Sequence, residues 1–242
     1  MRGSAASPRH HVPDEILDAY VAGHSAQAAA LAIACHLTLC PRCRGRMRLL
    51  EELAGMSLEA ALPATLAPGA WEAMLPRLDP RTDERGQLEK DSLPDFLAGY
   101  LLPRPILRAL TGSEPLRWRF LAPGARFIDL GISATLGDGV GGGGGGDGGG
   151  GGIARLLKLS PGLEIPLHDH KGPEYTVIFT GALQEGGALF ARGDLAFRLP
   201  GHRHVQHVDR RDYCVALQVN EGPLTPLTWK GKLLNLIAGS RS

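Results

Sequence analysis

The chain has 242 residues, enough for one large domain or two small ones, and its 43% apolar and 21% charged residues match an ordinary folded protein. Lys+Arg total 26 against 25 Asp+Glu, and a net charge of +1 offers no basic field for nucleic acid and no acidic tail. No segment approaches the roughly 18 uninterrupted apolar residues of a membrane span. Residues 1–9 lack the apolar core of a signal peptide, so a cytoplasmic protein is expected.

Pro13-Asp14-Glu15 reads as a helix start, with Pro in the first turn and acids at the positive end of the helix dipole. Ile16, Leu17, Tyr20 and Val21 follow at helical spacing, and Gly23 stops the helix. Ser25 is placed to cap a second, Ala-rich helix running through Leu31, Ile33 and Ala34. Pro41 opens a third, carrying Met47, Leu49, Leu50 and Leu53. A helical unit of about 50 residues is small enough to need a metal or a partner to stay folded. From 57 to about 90 the chain reads as a connector, with a short helix over 71–78 and a polar stretch over 79–87.

Short strands are then expected at 118–121, 127–130, 153–159, 175–181, 195–199 and 213–219. Strands of this length between Gly/Pro turns indicate a sandwich or small barrel. The run 137–152 is glycine apart from Asp138, Val140 and Asp147, and reads as a flexible hairpin insertion. It is not a phosphate loop, because Ile153-Ala154 follows where Lys-Ser/Thr is needed.

Two groups of metal-ligating side chains stand out. The first is His36-x3-Cys40-x2-Cys43. His36 and Cys40 are one helical turn apart, and the helix restart at Pro41 brings Cys43 to the same point. Zinc prefers four N/S ligands in a closed structural site, so His10 or His11 is the candidate fourth. Cys35 points to another face and is expected in the core, as is Cys214. Arg42, Arg44, Arg46 and Arg48 spread over more than one face, which reads as solvated surface or as a match for an acidic partner.

The second group is Gly162-x5-His168-x-His170-x3-Glu174-x6-Gly181. Strand alternation puts both histidines on one sheet face, and Glu174 can return to it after the 171–173 turn. Two imidazoles and a carboxylate suit Zn, Fe, Mn or Ni. Downstream, Pro200-Gly201-x2-His204 offers a third imidazole, with His202 and His207 as competitors. Glu164 and Asp169 are the only other acids near the motif.

The stretch from Arg9-His10-His11-Val12 through 14–22 to His36-Leu37-Thr38-Leu39-Cys40-Pro41-Arg42-Cys43 resembles the zinc-binding anti-sigma domain of the ChrR-type subgroup, over residues 9–55. The resemblance makes the second histidine of the pair, His11, the ligand. The second group is similar to the first cupin motif at every fixed position, and Gly193…Pro200-Gly201-x2-His204 resembles the second, which selects His204. It departs in having Pro-Gly for Pro-x-Gly, and Val208 where many cupins carry Asn. The cupin resemblance covers residues 92–225.

The resemblance implies an α plus all-β protein of two domains. A zinc-stapled helical bundle (1–60) leads through a linker (61–91) to a cupin β-sandwich or barrel (92–230) with the Gly-rich insertion 137–152. It implies Zn(2+) on His11, His36, Cys40 and Cys43, and a second divalent metal on His168, His170, Glu174 and His204, zinc first, with Fe, Mn or Ni as alternatives. It implies an extracytoplasmic-function-type sigma factor as partner, sequestered by the helical domain and released when the cupin senses singlet oxygen or organic peroxide. No enzymatic activity, essential small-molecule substrate, direct nucleic-acid contact or membrane contact is expected. The alternative is a cupin metalloenzyme, a dioxygenase or isomerase, with a helical appendage. A zinc-finger nucleic-acid binder is opposed by the flat charge and by the lack of a second Cys/His pair at finger spacing.

Overall fold

A computed structural model describes residues 7–77, 118–132 and 153–227. Three helices come first: α1 Asp14–Val21, α2 Gln27–Leu39 and α3 Pro41–Glu59. α1 follows Pro13 directly, carries Asp14 and Glu15 in its first turn, and ends before Gly23, whose φ is +75°. Ser25 does not cap α2: Ala26 holds the N-cap position and no side chain bonds there. Packing fixes this helix instead. It is apolar on nearly every side, and Ala28, Ala29, Leu31, Ala32, Ile33, Cys35, His36 and Leu37 are all buried. Burial of Leu31, Ile33 and Leu37 stabilises the fold by roughly 1.5–3 kcal/mol each. α3 starts on Pro41, with Cys40 as its N-cap. A short helix α4, Ala70–Met74, and a single 3₁₀ turn at Leu75–Arg77 follow. Position 78 of the expected helix and the polar stretch 79–87 lie outside the described residues.

Two of the four arginines of α3 are structural. Arg44 donates to the carbonyls of Leu37 and Thr38 at 2.7 and 3.0 Å, satisfying the open end of α2. Arg46 pairs with Asp14 at 2.9 Å and ties α3 to α1.

The strands, in chain order, are β1 Arg119–Ala122, β2 Ala125–Asp129, β3 Ile153–Leu159, β4 Glu164–His170, β5 Glu174–Thr180 and β6 Ala182–Glu185. Then come β7 Ala188–Ala191, β8 Leu195–Arg198, β9 His204–Val208, β10 Cys214–Asn220 and β11 Leu224–Pro226. They form two antiparallel sheets, ordered β1-β2-β3-β10-β5-β8 and β11-β4-β9-β6-β7. β6 and β7, absent from the sequence expectation, pair through the Gly186-Gly187 turn, where both residues have positive φ. The glycine run 137–152 lies outside the described residues.

The sheets face each other across Phe127, Leu157, Ile178, Leu183, Phe190 and Val208. The other face of the six-stranded sheet carries Leu156, Val177, Phe179, Val215, Leu217 and Val219, which join the helical residues in one continuous core. The helices therefore cover this sheet from outside. β5 is buried at every position but its last, and β10 at every position but one, because both faces of these strands are covered. Cys35 and Cys214 are fully buried, as expected of small apolar residues.

Candidate metal centres

The structure brings His11, His36, Cys40 and Cys43 together where α2 meets α3. His36 lies in the last turn of α2, Cys40 between the helices, and Cys43 in the first turn of α3. His11 arrives from the segment before α1. Its Nδ1 lies 3.3 Å from Cys40 Sγ and 3.7 Å from Cys43 Sγ, and His36 Nε2 lies 3.3 Å from Cys43 Sγ. Bonds of about 2.0 Å to nitrogen and about 2.3 Å to sulfur put tetrahedral neighbours roughly 3.3–3.8 Å apart, so the spacing fits one small ion. His10 points elsewhere: its ring packs on Phe190 at 4.2 Å and its Nε2 lies 3.2 Å from the Leu189 carbonyl.

The chemistry of the donors agrees with the spacing. The Gly193 carbonyl accepts from His36 Nδ1 at 2.7 Å. A carbonyl cannot donate, so Nδ1 holds the proton and Nε2 turns a lone pair into the cluster. Burial lowers His36 to about 4, which keeps the ring neutral. Burial, with the Cys40 sulfur beside it, pushes the Cys43 thiol up to about 11. Cys40 Sγ accepts from the Cys43 amide at 3.4 Å, at the positive end of α3. Two buried sulfurs and two inward ring nitrogens lack a positive charge of their own, and a divalent cation supplies one.

The second cluster lies between the two sheets. β4 contributes His168 and His170 at alternate positions, β9 contributes His204, and β5 of the facing sheet contributes Glu174. His168 and His204 stand directly opposite in the β4–β9 ladder, just past an irregularity between Ile165 and His168. His204 Nε2 lies 2.9 Å from His168 Nε2 and 2.8 Å from His170 Nε2, and His170 Nε2 lies 3.0 Å from Glu174 Oε2. All four residues are under 9% exposed. Of the three candidate histidines, the structure brings His204 into this cluster, while His202 is half exposed beside Glu185 and His207 is exposed on β9.

One hydrogen bond and one close carboxylate contact orient two of these rings. The Pro166 carbonyl takes His168 Nδ1 at 2.8 Å, and Glu185 Oε2 lies 2.9 Å from His204 Nδ1. Both Nε2 atoms therefore present lone pairs to each other, an arrangement that repels unless a cation lies between them. Burial lowers His168, consistent with a neutral ring. Glu174 Oε1 accepts from Gln218 at 2.8 Å and from Thr176 at 3.1 Å, while its buried Oε2 has no hydrogen-bond partner among the described residues. Burial raises the Glu174 carboxyl, but His170 outweighs it and holds it below the usual carboxylate range. Bonds of about 2.1 Å at right angles put neighbouring ligands roughly 3.0 Å apart, close to the shorter spacings here, so the residues fit a divalent metal with further positions open.

Glu185 was not singled out by the sequence. It ends β6, and Arg198 Nε donates to its Oε1 at 2.6 Å while Gln206 Nε2 donates to its Oε2 at 3.0 Å. No local motif marks it, because its partners come from β8 and β9. A cavity of about 700 Å³ adjoins it, lined by Gln184, Glu185, His202, Arg203, His204 and His207 among others. Asp169 pairs with Arg203 at 3.4 Å, and Glu164 is exposed.

A helical module with a His/Cys cluster, packed on a two-sheet antiparallel sandwich with a His/Glu cluster between its sheets, defines a cupin-like protein with an N-terminal helical domain whose cluster could hold a metal. No protein-family model matches the chain. The chain is 30% identical to Anti-sigma-E factor ChrR of Cereibacter sphaeroides over 218 residues, which is 89% of this chain and 91% of that protein. The crystal structure of Rhodobacter sphaeroides SigE in complex with the anti-sigma ChrR matches with a TM-score of 0.65 and 28% identity, covering 88% of this chain and 99% of that chain. A protein of unknown function with a cupin-like fold from Ralstonia eutropha overlaps 45% of this chain and 61% of that one, at 17% identity and a TM-score of 0.35. The chain belongs to the ChrR family of anti-sigma factors.

Proposed function

We propose that this chain holds an extracytoplasmic-function sigma factor away from core RNA polymerase and releases it under oxidative stress, from singlet oxygen or organic peroxide. The observation that carries this reading is the identity to Anti-sigma-E factor ChrR, which spans both the helices and the sandwich. The solved relative of similar architecture is a complex with SigE.

Residues 1–60 form the sigma-binding unit, 61–91 the linker, and 92–230 the sensor with its insertion at 137–152. The surface of the helical unit supports this division. Leu49, Leu53 and Met56 stand at i, i+4 and i+7 on α3 and are each more than half exposed. Leu58, Leu62, Leu66 and Trp71 continue the exposed apolar surface. Such a stripe is the ordinary seat of a protein partner. Inhibition is mass action, because sigma bound here is unavailable to polymerase. A cupin metalloenzyme would leave this stripe without a role. The chain works as a regulator rather than a catalyst, in the cytoplasm and without contacting DNA. Among the described residues no helix is long and apolar enough to cross a membrane.

His11, His36, Cys40 and Cys43 hold zinc as a closed structural site that staples the helices. His168, His170, Glu174 and His204 hold the second divalent metal, zinc or else Fe, Mn or Ni. When bound, that metal supplies a Lewis-acid centre with room for a small oxidant. Pro166 and Glu185 fix the rings of His168 and His204. The cavity beside His204 and Glu185 admits small molecules to that edge of the cluster.

Run-off transcription with core polymerase and extracytoplasmic-function sigma factors of the source organism tests this reading. Stoichiometric protein should abolish transcription by one of them, and organic peroxide should restore it. Undiminished transcription with each sigma factor at excess protein would overturn the reading.

A further inference from the structure

The His/Cys cluster is not enclosed by the helices alone. The turn between β7 and β8 reaches it from the sandwich. The Gly193 carbonyl accepts a hydrogen bond from His36 Nδ1 at 2.7 Å. Next to it, Asp194 Oδ1 accepts from the amides of Arg9 and His10 at 2.6 and 2.9 Å, on the segment that delivers His11. Asp194 Oδ2 accepts from the Ala191 amide at 2.8 Å, which locks the carboxylate to its own turn. The Leu195 amide donates to the His10 carbonyl at 3.4 Å and extends the seam. Asp194 is only 2% exposed.

The backbone at this point tolerates only glycine. Gly193 has φ +86°, and a Cβ there would lie 2.8 Å from Pro8 Cγ and 3.3 Å from Leu39. The β7–β8 turn therefore lies close against Pro8, three residues before His11, and against Leu39 at the end of α2. The ring of His36, and the backbone just before His11, are held by groups that belong to another layer of the fold.

We propose that Gly193 and Asp194 are positioning residues for the first metal centre, so that docking of the sandwich on the helices sets how firmly that metal is held. This rests on the reading of His11, His36, Cys40 and Cys43 as metal ligands. Outer hydrogen bonds to ligating groups fix ring orientation, and their loss commonly costs 10–100-fold in metal affinity. A shift of the β7–β8 turn thus reaches the centre that staples the sigma-binding helices.

The test uses the full chain loaded with Co(II). Its thiolate charge-transfer band reports the first centre alone, because the second cluster has no sulfur. Release into a chelator is timed from the loss of that band. Asp194→Ala should release cobalt about tenfold faster or more, with weaker d–d bands as His11 drops out. Asp194→Asn, which keeps one oxygen for the amides of Arg9 and His10, should fall between it and wild type. Gly193→Ala should also release faster. Gly187→Ala is its control: Gly187 has φ +85° with nothing within 4 Å of a Cβ, so it shares the backbone strain without the contact. If Asp194→Ala does not fold, Asp194→Asn and the glycine pair decide. Wild-type release from Gly193→Ala together with the Asp194 variants would overturn the proposal. A wild-type chain lacking the thiolate band would instead overturn the metal reading, and the proposal with it.

Discussion

In the sandwich, the His/Glu cluster draws its supporting bonds from its own strands: the Pro166 carbonyl holds His168 and Glu185 holds His204. In the helical unit, the His/Cys cluster draws them from outside, because Gly193 and Asp194 belong to the sandwich. The sandwich has two layers, enough to bury a centre between them. Three short helices do not, so their centre is finished by a neighbour on one side. On the other side α3 leaves Leu49, Leu53 and Met56 uncovered. The contrast teaches that the helical unit is incomplete twice over, once toward its own sandwich and once toward a partner.

The largest effect should come from the first cluster. Cys40→Ala or His36→Ala should abolish sigma capture and the helical ellipticity of residues 14–59 while strand signals persist, since a metal-stapled unit loses its fold with its metal. A Cys40→Ala protein that captured sigma at wild-type strength would break the contrast at its root. The second cluster should separate function from folding. His168→Ala, His170→Ala or Glu174→Ala should keep sigma binding while flattening the transcriptional response to peroxide, and an unchanged response would remove the sensor role.

A smaller effect is expected on the open face. Leu53→Asp should weaken sigma binding by about 2 kcal/mol, roughly 30-fold, with Tm unchanged, by titration calorimetry and melting. Equal affinity would move the interface off α3. Smallest is Glu185→Gln, which should lower metal affinity at the second centre about tenfold by chelator competition and leave the first untouched. An unaltered affinity would show that His204 needs no carboxylate behind it.

What was legible follows from distance along the chain. The 36/40/43 and 168/170/174 spacings encode their geometry locally, through one helical turn, one Pro restart and one strand alternation. His11 and His10 are adjacent, and no periodicity separates them. The separation is made by Phe190, Leu189 and Asp194, which lie far off in sequence. Glu185 and Asp194 were invisible for the same reason, and Gly193 stood out only as the first glycine of the second cupin-like motif. Two further features are encoded locally. Gly186-Gly187 between short apolar segments marks the β6–β7 hairpin. The β-branched and aromatic run from Tyr175 to Phe179, polar only at Thr176, marks a strand covered on both faces, and hence the docked helices. Ser25 misled because a cap preference of about 1 kcal/mol yields to a helix fixed by buried packing.

The most direct measurement is co-purification from the source organism, with tagged full-length wild type beside Cys40→Ala. The account predicts an extracytoplasmic-function sigma factor in near-stoichiometric amount with wild type and none with Cys40→Ala. No sigma factor with wild type, or equal capture by both, would contradict it.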